Sequence, residues 1–174
     1  VRAGAGFDTI DVKHARRNNI DVMNTPGANA NAVAEEVITL VLAVFRHVIA
    51  ADASVREGRW DKKIYMGREL SGKIVGVIGL GHIGQVLIRR LSGFEVTVLG
   101  YDPMLSTGRA EELGVEMCCV EEIFEKADIV TLHLPETKET AGMVNRALLE
   151  RMKPRAVLVN CARASVVNLD DLRA

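Results

Sequence analysis

From residue 74 onward the chain keeps changing its hydrophobic period, and that alternation limits the folds open to it more than anything else in the sequence. Short runs rich in Val, Ile and Leu at 74–78, 96–100, 115–118, 129–132 and 156–160 are separated by helical patterns at 82–91, 108–113, 120–126 and 145–152. A strand that is followed by a helix and then by another strand returns in parallel, because only such a crossover brings the chain back to the same end of a sheet. Parallel strands are covered on both faces, so the pattern predicts an α/β domain with helices on either side of a parallel sheet. With 48% hydrophobic and 26% charged residues, close to globular averages, the chain is not a disordered tail or a fibrous repeat.

The residues ahead of this stretch read differently. Gly4, Gly6, Pro26 and Gly27 punctuate a loop-rich segment around a short helix at 11–19 and a possible strand at 20–23. A long helix then starts from Asn29. Val33, Val37, Leu40, Val41, Val44 and Val48 follow one seam and Ile38, Leu42, Phe45 and Ile49 an adjacent one, an apolar surface wider than one core requires. It implies burial between two domains, a subunit interface, or both. The polar, irregular stretch 58–72 carries Trp60 and marks a boundary. The expected organisation is 1–27 as the C-terminal remnant of a second domain, 28–72 as a connecting and dimerising helix and arm, and 73–174 as the sheet domain.

Composition removes several function classes. With 22 Lys plus Arg against 23 Asp plus Glu, the net charge is −1, so the basic excess that phosphate neutralisation needs is missing and nucleic acid is not an expected partner. The longest apolar stretch, 37–45, falls well short of the roughly 18 residues of a membrane span. Cys118, Cys119 and Cys161 form no CxxC pair, and their odd number fits reduced thiols in the cytosol. Position 1 is Val, and the chain closes in an uncapped helical run at 169–174, so the sequence reads as a piece of a longer protein.

Gly79-Leu80-Gly81-His82-Ile83-Gly84 is a GxGxxG, weak evidence alone but strong in its setting. It follows an apolar strand and opens a helix, and an acidic residue, Asp102, ends the next strand near the spacing of about 20 residues expected for dinucleotide binding. Gly79 permits the tight turn, Gly81 lets the backbone approach a pyrophosphate, Gly84 lets helix and sheet pack closely, and the amides around His82 and Ile83 face the anion. The sheet is therefore expected to be doubly wound and Rossmann-type. A carboxylate at Asp102 accepts bonds from ribose hydroxyls and repels a 2′-phosphate, so NAD is preferred over NADP, with Arg109 the one nearby cation that could oppose this.

Ligands of such sheets lie across the carboxyl ends of the strands. There the sequence offers His133-Leu134-Pro135 and Asn160-Cys161-Ala162-Arg163. Arg163 is a cation able to hold a carboxylate and polarise a carbonyl oxygen. No histidine stands out as a base: His82 sits in the phosphate loop, His14 and His47 on polar helix turns, and His133 on the adenine side of the crevice. Cys161 reads as a packing thiol, and no cluster has the spacing of metal ligands.

These residues together resemble the D-isomer-specific 2-hydroxyacid dehydrogenases. The matching stretches are Val1-Arg-Ala-Gly-Ala-Gly-Phe-Asp8, Val22-Met-Asn-Thr-Pro26, Trp60, Met66-Gly67, Glu69-Leu-Ser-Gly-Lys73, Val77 to Gly84, Gly100-Tyr-Asp-Pro103, His133 to Pro135 and Asn160 to Arg163. The resemblance implies a two-domain subunit that forms a homodimer or higher homo-oligomer through 29–65 and acts on a small 2-hydroxy or 2-oxo acid, with no membrane partner. One branch of the family binds NAD without catalysis. By likeness, Gly4, Ala5 and Gly6 hold the substrate carboxylate, and Arg163 is the catalytic arginine. Thr25 and Cys161 to Arg163, with Ala162 between them, meet the nicotinamide end of the cofactor. Gly79, Gly81, His82, Ile83 and Gly84 hold the pyrophosphate, Asp102 the ribose, His133, Leu134 and Pro135 the adenosine side, and Thr140 a phosphate. The family's acid/base pair is expected beyond Ala174. Ala164 replaces a Gly usual after the arginine, where a Cβ is expected to strain the backbone.

Overall fold

The computed structural model describes residues 1–174 except the side chain of Thr107. A five-stranded parallel sheet with the order β3-β2-β1-β4-β5 is built from β1 (Ile74–Ile78), β2 (Thr97–Tyr101), β3 (Glu116–Met117), β4 (Ile129–Leu132) and β5 (Val157–Asn160). The chain steps outward from β1 to β3, then crosses back beneath the sheet to pair β4 on the other side of β1. Ile78 thus lies between Tyr101 and Leu132, and Leu132 pairs with Asn160. This reversal of direction places a crevice at the carboxyl ends of β1 and β4, the usual ligand position in such sheets.

Both faces of the sheet are covered. On one, α2 (Ala30–Phe45) and α4 (His82–Leu91) pack Ala34, Val37, Val41, Phe45, Leu87 and Leu91 against Val75, Val77 and Ile129. On the other, α6 (Val120–Lys126) and α7 (Arg146–Leu149) pack Ile123, Phe124 and Leu148 against Ile78, Leu99, Val130 and Leu132. Every residue of β4 is buried, which is why its sequence, Ile-Val-Thr-Leu, lacks polar alternation. The remaining helices are α1 (Val12–Arg17), α3 (Val48–Arg56), α5 (Thr107–Glu112) and α8 (Leu169–Arg173), with short 3-10 turns at 92–94 and 164–166. Asn168 caps α8 by accepting from Asp170 and Asp171 amides.

Several expectations change. The long helix from Asn29 ends at Phe45; His47 adopts a left-handed conformation, φ 53°, and α3 departs at 61°. Only one seam of α2 is buried, through Ala30, Ala34, Val37, Val41 and Phe45, while Leu40, Val44, Val48 and Ile49 are exposed. No strand forms at 20–23; the segment is tied to α1 by the bond from Ile20 N to Ala15 O (2.9 Å) and to the segment 2–4 by bonds from Arg2 N to Met23 O (2.7 Å) and from Thr25 N to Gly4 O (3.1 Å). The helix expected at 145–152 shrinks to Arg146–Leu149, with Asn145 as its cap. Among the described residues, no single helix is long and apolar enough to cross a membrane.

Candidate cofactor and substrate site

β1 delivers the glycine loop to the centre of the crevice. Gly79 has φ +96°, and a Cβ there would lie 2.7 Å from the His133 carbonyl oxygen at the end of β4, so the turn needs both the positive φ and the missing side chain. Gly84 lies against the Gly79 carbonyl, where a Cβ would clash with the backbone oxygen. Gly81, the N-cap of α4, has open space beside it, and the amides of Gly81, His82 and Ile83 meet no acceptor among the described residues. A helix N-terminus with free donors and an uncovered glycine cap fits a pyrophosphate in charge and in room.

Asp102 stands where β2 ends and is held from two sides. Its Oδ2 accepts from Leu80 N and its Oδ1 from Met104 N, both at 2.8 Å. The carboxylate is thereby tied to the phosphate loop, with a lone pair on each oxygen left over for hydroxyl donors. Arg109, the cation that could have opposed an NAD preference, is engaged elsewhere: it donates to Glu112 at 2.6 Å and to Gln85 at 3.3 Å. Gln85 in turn donates to Leu80 O at 2.8 Å, bracing the loop.

His133 follows β4 with its Nε2 3.0 Å from the hydroxyl of buried Thr131, and its Nδ1 is buried without a partner. Burial pushes its pKa down to about 4, so the imidazole is neutral near pH 7 and poorly matched to base catalysis there. Leu134 packs its side chain on the core beneath, Pro135 is exposed, and Thr140 donates to Pro135 O at 2.6 Å while accepting from Thr137 N at 2.8 Å. The Thr140 hydroxyl proton is thus directed into its own loop.

Beyond β5, Asn160 braces the turn, accepting from Ala162 N at 3.0 Å and donating to Arg163 O at 2.9 Å. Cys161 packs on the α2 side of the core, and burial, aided by nearby Glu36, raises its thiol pKa, as expected of a packing residue. Arg163 reaches across to the start of the chain. It donates from Nε to Asp8 Oδ2 at 2.7 Å and lies against Gly6, where a Cβ would oblige the guanidinium to shift. The Asp8 carboxylate is held below its ordinary pKa by this hydrogen bond. Of Gly4, Ala5 and Gly6, it is Gly6 that sits against Arg163; Gly4 lies against the Arg2 guanidinium, which donates from Nε to Gly6 O at 3.2 Å. The three are fixed from behind by Asn24, which donates to Ala5 O at 2.8 Å, while Thr25, exposed, follows on the same ribbon. Gly27 rests on the His82 ring, joining this ribbon to the phosphate loop.

Sequence reasoning missed the parts played by Asp8, Asn160 and Gln85. Asn160 was recognisable as a polar residue closing a strand, but nothing local links position 8 to position 163. Ala164 begins the 3-10 turn at 164–166, is exposed and is not among the residues with positive φ, so the expected strain does not occur and a Cβ is accommodated.

The sequence profile described as D-isomer specific 2-hydroxyacid dehydrogenase, NAD binding domain, matches residues 38–174. The chain belongs to this family. A D-3-phosphoglycerate dehydrogenase of Archaeoglobus fulgidus is 43% identical over 167 residues, covering 96% of this chain and 32% of that protein. The chain thus spans about a third of the length of the curated relatives it matches. Among solved structures, the apo form of D-lactate dehydrogenase from Escherichia coli superposes with a TM-score of 0.89 at 30% identity, over 98% of this chain and 54% of the other. NAD-dependent formate dehydrogenase from Staphylococcus aureus in complex with NAD gives 0.86 at 33% identity, over 97% and 51%. The family's NAD-binding domain is therefore the parallel sheet described here, and NAD is its cofactor.

Proposed function

We propose that the full protein is an NAD-dependent dehydrogenase of a D-2-hydroxy acid, and that this chain contributes the cofactor cradle together with the cation that orients the substrate. The observation that carries this reading is the contact of Arg163 with the Gly4–Gly6 loop, because it joins a cation and open backbone amides at the mouth of the crevice. Gly81, His82 and Ile83 would receive the pyrophosphate, Asp102 the ribose hydroxyls, and His133, Leu134 and Pro135 the adenosine side. Thr25 and Cys161 to Arg163 would border the nicotinamide, and Thr140 is the least supported member because its hydroxyl is already engaged. NAD when bound supplies the hydride acceptor. The role of Arg163 is electrostatic: a fixed cation aligns the substrate carboxylate and favours negative charge on the oxygen being converted to a carbonyl. The family's glutamate and histidine would take the proton.

The substrate we favour is 3-phosphoglycerate, oxidised to 3-phosphohydroxypyruvate for serine synthesis, because the curated relatives bearing that name align over nearly the whole chain. Lactate, glycerate and other small 2-hydroxy acids are the alternatives, given the D-lactate dehydrogenase among the structural neighbours. A non-catalytic NAD-sensing role is the reading from another class.

We also place a homo-oligomeric contact on the 29–65 region and the protein in the cytosol. The chain exposes 11002 Å², against about 8,400 Å² expected for a compact monomer of 19.0 kDa. Part of the excess is apolar: Ile49 is 78% exposed and Trp60 80%.

Titration of the full-length protein with NADH and NADPH, followed by assays of 3-phosphoglycerate, lactate and glycerate oxidation, tests the reading. NADH is expected to bind at least tenfold tighter than NADPH, about 1.4 kcal/mol, with 3-phosphoglycerate the preferred substrate. Equal affinity would remove the Asp102 argument. Tight NADH binding with no turnover of any hydroxy acid would favour the sensing role.

A further inference from the structure

The side chain of Arg163 is not left free in the crevice. Nε and Nη2 both reach Asp8 Oδ2, at 2.7 and 2.6 Å, and Nη1 donates to the Ala162 carbonyl at 3.0 Å. A guanidinium offers two planar forks, one from Nε with one terminal nitrogen and one from the two terminal nitrogens. Asp8 takes the first. These contacts leave one proton on each terminal nitrogen for a further oxygen acceptor, a carboxylate among them. On its other side Nη2 lies against the backbone of Gly6, so the guanidinium is confined between a carboxylate and a loop that themselves belong to one short segment. The amides of Ala5 and Gly6 meet no acceptor among the described residues.

We propose that Asp8 is a positioning residue for Arg163. It fixes the guanidinium by its lateral fork so that the terminal fork meets the substrate carboxylate in a single orientation, next to the Ala5 and Gly6 amides. An arginine on a flexible stem must otherwise lose its rotamer freedom when substrate binds, and a partner already in place removes that loss beforehand. The contact also joins residues far apart in sequence, so the loop and the cation that receive one carboxylate are set relative to each other by Asp8. Without it, each would find its place separately. The inference rests on the reading of Arg163 as the cation that receives the substrate.

Steady-state kinetics of the full-length protein with whichever hydroxy acid it oxidises, alongside NADH titration, test this in Asp8→Ala, Asp8→Asn and Arg163→Gln. Asp8→Ala is expected to lower kcat/KM for the hydroxy acid at least tenfold while the Kd for NADH stays within twofold. Asp8→Asn, which keeps an oxygen acceptor in place, is expected to recover much of the loss. If Arg163→Gln abolishes turnover but Asp8→Ala behaves as wild type, the positioning role is overturned and the function of Arg163 stands. If Asp8→Ala lowers KM instead, Asp8 competes with substrate for the arginine and the proposal is wrong. Equal losses in NADH binding and thermal stability, without recovery in Asp8→Asn, would reduce Asp8 to a structural contact. Should Asp8→Ala fail to fold, Asp8→Ser decides: a tenfold loss in kcat/KM with unchanged NADH affinity supports the proposal, and wild-type kinetics or a loss shared with NADH binding overturns it. Retention of turnover by Arg163→Gln would overturn the reading of the arginine and this inference with it.

Discussion

The sheet half of the molecule and the α2-to-arm half are equally rich in aliphatic residues, yet they do opposite things with them. Around β1 and β4 the side chains are sealed: Val77, Ile78, Val130 and Leu132 have no accessible surface. Along the outer side of α2, through α3 and the arm to Met66, Leu40, Val44, Ile49, Val55, Trp60 and Ile64 face outward. Hydrophobic periodicity reports that a surface is to be covered; it does not report by what. In the sheet the cover is complete within these residues, supplied by α2 and α4 on one face and by α6 and α7 on the other. In α2 one seam is covered by α4, and the other has no partner within these residues.

The largest break in this comparison comes from the sealed half. Phe124→Ala is expected to cost about 3–5 kcal/mol of stability by urea unfolding, because the ring is wholly buried on the α6 face and the sheet cannot collapse into the space. An intermediate effect follows from His133. Its folded pKa of about 4 lies below the ordinary 6.5, so the unfolded chain takes up a proton in that interval and the folded one does not. Stability is therefore complete above about pH 6.5 and lost as the pH falls toward 4, by on the order of 3 kcal/mol, and His133→Gln should flatten that part of the pH–stability curve. The smallest effect on folding belongs to the open half. Val48→Asp with Ile49→Asp is expected to change unfolding free energy by no more than about 0.5 kcal/mol per substitution when measured on the dissociated chain. The same pair should shift the full-length protein to a smaller species in light scattering, and an unchanged mass would move the oligomeric contact elsewhere.

The parallel sheet, the turn at Gly79 and the acid at Asp102 were legible because each depends on neighbours in sequence: a period, a glycine at a turn, a carboxylate closing the next strand. The break at His47 was not, since positive φ is uncommon for any side chain and no Gly or Pro between Val44 and Ile49 marks the turn. The expected strain at Ala164 failed for the complementary reason: the backbone around it turned into a 3-10 segment that any residue can adopt. In the site, the glycine loop and Arg163 announced themselves, but Asp8 did not, because its partner lies at the far end of the chain and only tertiary folding brings the two together.

The central place of β1 has a consequence for how the chain is made. During synthesis β2 can pair with β1 soon after it emerges, but the other edge of β1 has no partner until Leu132 has followed. At about 5–20 residues per second, that leaves a run of Val and Ile with unpaired amides and carbonyls exposed for several seconds. The nascent polypeptide is therefore most prone to misassociation in this window, and a ribosome pausing within β3 or α6 would prolong it.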